Sequence, residues 1–209
     1  MLKHERLGRS NQDSVAIGLC GEMYSGKDTA ADYIVSKYGF RKFSYSTDVL
    51  KPIISFCQGK ETREVYINLG ASLDKVFGDF CLDSLLHRRI SQEASKKVVI
   101  PNIRLFNNVD YWKNASGFEF YLILVLAEQR LRLSRWMKLL SEKPLHEYDK
   151  ALKTKEDFEI LNRKDLEETD LFNLLHNRKF DFTIVNNSDL MNLYVQIDTI
   201  MKVIEKKPT

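Results

Sequence analysis

The apolar positions fall into five short runs, separated by stretches with helical spacing. VAIGLC (15–20) is apolar and β-branched and stops at a glycine, which predicts a buried strand. KDTAADYIVSKY then sets Ala30, Ile34 and Tyr38 on one face, a helix closed by Gly39. FRKFSY (40–45) alternates like a second strand. Helical periodicity fills most of 47–96, with a break near QGKET (58–62). VVIP (98–101) and FEFYLILVLA (118–127) predict strands three and four. The charged stretch EQRLRLSRWMKLLSEK follows as a helix. TKEDFEILNRKDLEE (154–168) is another, with Thr154 as N-cap and Asp157 three residues on. DFTIV (181–185) is a fifth strand, and DLMNLYVQIDTIMKVI (189–204) a closing amphipathic helix. Strands alternating with helices predict a three-layer α/β fold on a five-stranded parallel sheet. Residues 1–14 read as a flexible leader and 15–209 as one domain, with a helical lid over about 128–165.

Composition changes this picture little. The 209 residues suffice for one real core, and 44% hydrophobic with 29% charged residues is ordinary for a soluble globular chain. A net charge of +3, with Lys and Arg closely matched by 29 acidic residues, gives no nucleic-acid footprint. The apolar run at 120–127 is too short to span a bilayer as a helix. Cys20, Cys57 and Cys81 are odd in number and lack metal-ligand spacing, so reduced thiols in a cytoplasmic protein are expected.

The chemistry begins in GEMYSGKDT (21–29). Gly21, four residues, then Gly26-Lys27 is the spacing of a phosphate-binding loop, and it stands where such a loop must, between a strand and a helix. Gly21 opens the expected nucleotide-binding loop, and the amides of Glu22, Met23, Tyr24, Ser25, Gly26, Lys27 and Asp28 are expected to point at the β-phosphate. Lys27 is expected to bridge the β- and γ-phosphates. The residue after the lysine is Asp28, with the hydroxyl one place later at Thr29. Asp28 reads as a magnesium ligand acting through water, or as a plain helix N-terminal acid; Thr29 is placed to touch the α- or β-phosphate. No Asn-Lys-x-Asp guanine signature and no LSGGQ-like run is present, and strand three ends in Asn102 where a Walker B aspartate would stand. Those absences point to small-molecule kinases.

SGKDTAADYI followed by FSYSTDVLKPI resembles the start of P-loop small-molecule kinases, namely deoxynucleoside monophosphate kinases, dephospho-CoA kinases and P-loop phosphomevalonate kinases. TREVYINLGASLDKVFG (62–78), VVIPNIRLFNNVDYW (98–112) and DFTIVNNSDL (181–190) extend the resemblance over nearly the whole chain. It implies transfer of the γ-phosphate of ATP, with Mg2+, to a small anionic substrate. It implies that Arg63 and Arg104 hold the acceptor's anionic group, and that lid arginines, Arg130 and Arg135 among Arg130, Arg132, Arg135 and Arg163, neutralise the transition state. Asn186 and Asn187 match the loop that contacts adenine. Two departures bear on the acceptor: Asn102 and Asn107-Asn108 stand where the family often has carboxylates, which favours a strongly anionic acceptor. Asp48 follows the second strand, where relatives with hydroxyl acceptors place an acid; it is a candidate base, or a helix cap. Together these resemble the archaeal mevalonate 3-phosphate 5-kinases, with deoxynucleoside monophosphate or dephospho-CoA as the alternative acceptor. An ATP-binding regulator is the alternative outside catalysis.

Overall fold

The computed structural model describes residues 14–114, 116–142 and 154–206. The expected leader, apart from Ser14, and the centre of the expected lid (143–153) lie outside the described residues. The five strands are β1 (Val15–Cys20), β2 (Arg41–Lys42), β3 (Lys97–Pro101), β4 (Glu119–Leu126) and β5 (Phe182–Val185). They form one sheet in the order β2-β3-β1-β4-β5, every pair parallel, with Ile17 level with Val99 on one side and Tyr121 on the other.

Both faces of the sheet are covered, which is why β1, β3 and β4 are almost continuously apolar. Along β4 the pleat sends Phe120, Leu122 and Leu124 to one face and Tyr121, Ile123 and Val125 to the other. On the second face lie α1 (Lys27–Tyr38) and α9 (Leu190–Lys206), through Ala30, Ala31, Ile34, Leu193, Ile197 and Met201. The first face carries α4 (Cys81–Gln92), α5 (Phe106–Asn114) and α8 (Leu171–His176), through Leu86, Ile90, Val109, Trp112 and Leu174. α2 (Lys51–Phe56) and α3 (Arg63–Phe77) stand between β2 and β3, and α6 (Gln129–Glu142) and α7 (Lys155–Glu167) between β4 and β5.

The expected strand over 40–45 is cut to two residues. Phe43 N–H still reaches the Val99 carbonyl, but at Ser44 the chain turns into a π-helical turn, Tyr45–Leu50, that runs straight into α2. Ser44 starts the turn by accepting from Thr47 N–H, while its own N–H donates to the Asp48 carboxylate at 2.7 Å. A reciprocal cap outcompetes strand extension at a sheet edge. The capping box at Thr154 and Asp157 is present in full. α5 and α8 are short helices that the hydrophobic spacing did not separate from their surroundings.

Candidate functional site

The carboxyl ends of β1, β3, β4 and β5 meet at the turn Gly21–Gly26, where ligands bind in open parallel sheets. Two glycines of this turn are sterically required. Gly21 has φ +139°, and a Cβ there would lie 2.2 Å from the Val125 carbonyl. Gly26 has φ +104°, and its Cβ would lie 2.3 Å from Asn186 Nδ2. Tyr24 holds φ 59° with a full side chain, a conformation a loop keeps only when its surroundings impose it.

Those surroundings are two arginines and an asparagine. Arg132, 2% exposed, donates to Glu22 Oε1 at 2.7 Å, to Asn162 Oδ1 at 2.5 Å and to the Met23 carbonyl at 3.4 Å. Arg135 donates to the carbonyls of Tyr24, Ser25 and Asn186, and Asn186 Nδ2 donates to the Ser25 carbonyl at 2.7 Å. Three side chains thus hold the carbonyls of Met23, Tyr24 and Ser25, which fixes the course of the loop. Trp136 of α6 and Phe158 of α7, both buried with ring centroids 5.5 Å apart, join the two helices, and Phe158 also meets Tyr24 at 6.5 Å. Burying each ring stabilises that docking by roughly 1.5–3 kcal/mol.

Lys27 is 6% exposed and curls back on its own loop, donating to the carbonyls of Gly21 at 2.7 Å and Glu22 at 2.8 Å. Burial lowers its pKa to about 8, against the opposing pull of Asp165, and Arg104 lowers it further.

A cleft of ≈ 1230 Å³ opens from the loop toward α3. Met23, Tyr24, Gly26, Lys27, Asp28 and Thr29 line it at the loop, and Arg63, Arg104, Asn102 and Asn108 line it as well. α3 presents one stripe to it, Arg63, Tyr66, Ile67, Gly70, Ala71 and Asp74, at helical spacing. Asn102 takes φ 68°, a left-handed conformation that asparagine tolerates better than most residues, directly after β3.

Arg63 and Arg104, expected as acceptor ligands, are brought together here by two carboxylates that the sequence reading missed. Arg104 sits 3.0 Å from Asp165 Oδ1 and 3.3 Å from Glu168 Oε2, and Arg63 sits 2.8 Å from the same Glu168 oxygen and 3.9 Å from Asp165. Asp165 is 2% exposed, and its other oxygen accepts from Met23 N–H at 2.7 Å. A signal for it was available: Phe158, Leu161 and Asp165 share one face of α7, and an acid on an apolar face is rarely idle.

The remaining expected residues are distributed as follows. Asp28 lines the cleft with its carboxylate 3.1 Å from Lys42, and Thr29 beside it faces the same space. Asp48 turns to its own backbone at Ser44 and to Thr47 Oγ1, and is absent from the cleft wall. Arg130 is 80% exposed and paired with Glu128, and Arg163 is exposed; neither lines the cleft. Asn187 ties the turn after β5 to Glu128 through two hydrogen bonds. Beneath the cleft, fully buried Asp83 accepts from Tyr45 Oη, Trp112 Nε1 and Asn108 Nδ2 at 2.6–3.0 Å, and burial raises its pKa. It locks the π-helical turn, α4 and α5 into one wall. Among the described residues no group of three or more His, Cys, Asp or Glu is placed to hold a metal, and no helix is long and apolar enough to cross a membrane.

No protein-family model matches the chain, and no curated protein matches it. Solved structures do resemble it. Shikimate kinase from Bacteroides thetaiotaomicron superposes with a TM-score of 0.55 at 14% identity, over 91% of this chain and 98% of that one. Shikimate kinase from Acinetobacter baumannii, in complex with shikimate, gives 0.52 at 15%, over 93% and 96%. A protein of Chloroflexus aurantiacus gives 0.60 at 14%, over 95% and 100%. At these identities the likeness shows the fold, which is the P-loop NTPase fold of shikimate kinases.

Proposed function

We propose that the protein is an ATP-dependent small-molecule kinase, moving the γ-phosphate to a small anionic acceptor. One observation carries the reading: a phosphate loop with its lysine and two converging arginines share a single cleft. In this reading the N–H groups of residues 22–28 hold the triphosphate, and Lys27 leaves the Gly21 and Glu22 carbonyls to steady the transferring group. Arg135, beside the loop and in the cleft wall, both fixes the loop and adds positive potential. Arg63 and Arg104 orient the acceptor, since a planar guanidinium matches a phosphate or carboxylate with two parallel bonds. Asp28 and Thr29 supply hard oxygens beside Lys27, a donor set that fits magnesium, with Asp28 acting through water. When bound, the ion neutralises phosphate charge.

The finer acceptor is a choice between two readings. Mevalonate 3-phosphate follows from the missing carboxylates at Asn102 and Asn108 and from a base at Asp48. The engagement of Asp48 with Ser44 takes away the second support. A deoxynucleoside monophosphate is favoured by a different observation, the aromatic and apolar wall of Tyr45, Tyr66, Ile67, Leu82 and Leu105 beyond the arginines. A panel of mevalonate 3-phosphate, deoxynucleoside monophosphates, dephospho-CoA and shikimate, each with ATP and Mg2+, tests both by ADP release and identification of the phosphorylated product. Nucleotide binding with no acceptor-dependent ADP release across the panel would favour a regulator over a kinase.

A further inference from the structure

We propose that Asp165 and Glu168 form a built-in substitute anion, which fills the substrate sites until ATP and acceptor displace it. The inference rests on the reading of the cleft as a kinase site, and concerns how that site is kept from working without its second substrate. Three of its positive or N–H groups are already satisfied from α7 and its C-cap residue, Glu168. Met23 N–H, an amide of the phosphate loop, donates to Asp165 Oδ2 at 2.7 Å. Arg104 is 3.0 Å from the other oxygen of the same carboxylate. Arg63 and Arg104 share Glu168 Oε2, at 2.8 and 3.3 Å. One carboxylate therefore touches the donor loop and an acceptor arginine at once, which is where the transferring phosphate and the acceptor must meet.

Charge explains why this matters. The cleft is lined by five basic side chains and five acidic ones, so its lining carries no formal net charge while Asp165 and Glu168 stay in place. A phosphate gains the full strength of Arg63 and Arg104 only by taking the place of Glu168 and Asp165. Lys27 meanwhile rests on the Gly21 and Glu22 carbonyls. An acceptor that draws the arginines toward itself leaves the buried Asp165 carboxylate without its cation, which favours withdrawal of that charge from the cleft and from Met23 and so eases entry of the γ-phosphate; linkage requires ATP to favour acceptor binding by the same factor. The turn after α7 provides an anchor for such a movement, because Asp170 N–H donates to the Arg104 carbonyl at 2.9 Å.

The test is direct binding without any acceptor. Isothermal titration with AMP-PNP and Mg2+ should give about tenfold tighter binding to Asp165→Asn than to the wild-type protein, since a charged competitor for the loop amide becomes a neutral, weaker one. A residue with a merely structural role would, when replaced, leave affinity unchanged or weaken it. Glu168→Gln, a milder change at a half-exposed side chain, supplies a second reading: with AMP-PNP saturating, it should bind inorganic phosphate several-fold more tightly than wild type. Wild-type binding of AMP-PNP with no tightening in either variant overturns the substitute-anion device alone. Absence of nucleotide binding in wild type and both variants overturns the donor site, and the device with it.

Discussion

Lys27 offers a test of the donor site that needs no knowledge of the acceptor. In the free protein burial holds its pKa at about 8, against 10.5 for an ordinary lysine. At pH 9 only about a tenth of the molecules then carry the charge on Lys27, by the ordinary titration relation. Phosphate oxygens beside the amine restore the charged form, because an opposite charge at contact distance raises a lysine's pKa. Nucleotide binding at pH 9 should therefore take up roughly 0.9 proton, and at pH 7, where Lys27 is already charged, only about 0.1 from this group. Titration calorimetry in two buffers of different ionisation enthalpy reads the number directly, and Lys27→Met must abolish it. The same shift governs stability of the free protein. The folded state binds fewer protons than the unfolded chain between pH 8 and 10.5, so unfolding free energy should rise with pH through that window, by on the order of 3 kcal/mol. A buffer-independent binding enthalpy at pH 9 would refute the burial argument for Lys27 and, with it, the picture of a lysine that leaves its loop to meet phosphate.

Three further outcomes are expected. Gly26→Ala forces a left-handed alanine and sets its Cβ against Asn186 Nδ2, so urea unfolding should lose about 1–3 kcal/mol and AMP-PNP affinity should fall together with it. Asp48→Asn weakens the cap at Ser44 and should lower stability by about 0.5–2 kcal/mol while kcat on any accepted substrate stays within about twofold; a hundredfold fall in kcat at unchanged stability would make Asp48 a base after all. Asp83→Ala strands the buried donors of Tyr45, Trp112 and Asn108, so thermal unfolding should report a loss of at least about 3 kcal/mol, and an unchanged melting temperature would refute the claim that this carboxylate holds the π-helical turn, α4 and α5 together.

The fold was legible wherever burial leaves an unbroken or periodic apolar pattern. The runs at 15–20, 98–101 and 118–127, continuously apolar because both faces of the sheet are covered, were legible by their short length, and the turn at 21–29 by glycines that stand at positive φ. β2 was read too long, since alternation in FRKFSY says nothing about a cap that forms at Ser44. The arginines of α6 were legible as arginines near the lid but not in their task. Arg132 and Arg135 hold the carbonyls of residues 23–25 across more than a hundred positions of sequence, and no local pattern encodes such a partner.

That task recasts how positive charge is divided in the site. An arginine aimed at loop carbonyls fixes the direction of several N–H dipoles permanently, whereas one aimed at phosphate acts only after closure. Arg132 belongs wholly to the first kind: it is buried, ion-paired to Glu22 and stacked near the Phe158 ring. Arg135 serves the first role while bordering the space where the second is exerted. Beside Lys51, which is paired with Glu61 at 3.0 Å, the remaining positive charge of the cleft lies in Lys27, Arg63 and Arg104. Each of these three is held in the free protein by an internal acceptor, a carbonyl or a carboxylate, at 2.7–3.3 Å. In the proposed kinase reading, a loop fixed by Arg132, Arg135 and Asn186 faces cations that must be released, and their release is the step at which substrates can be told apart.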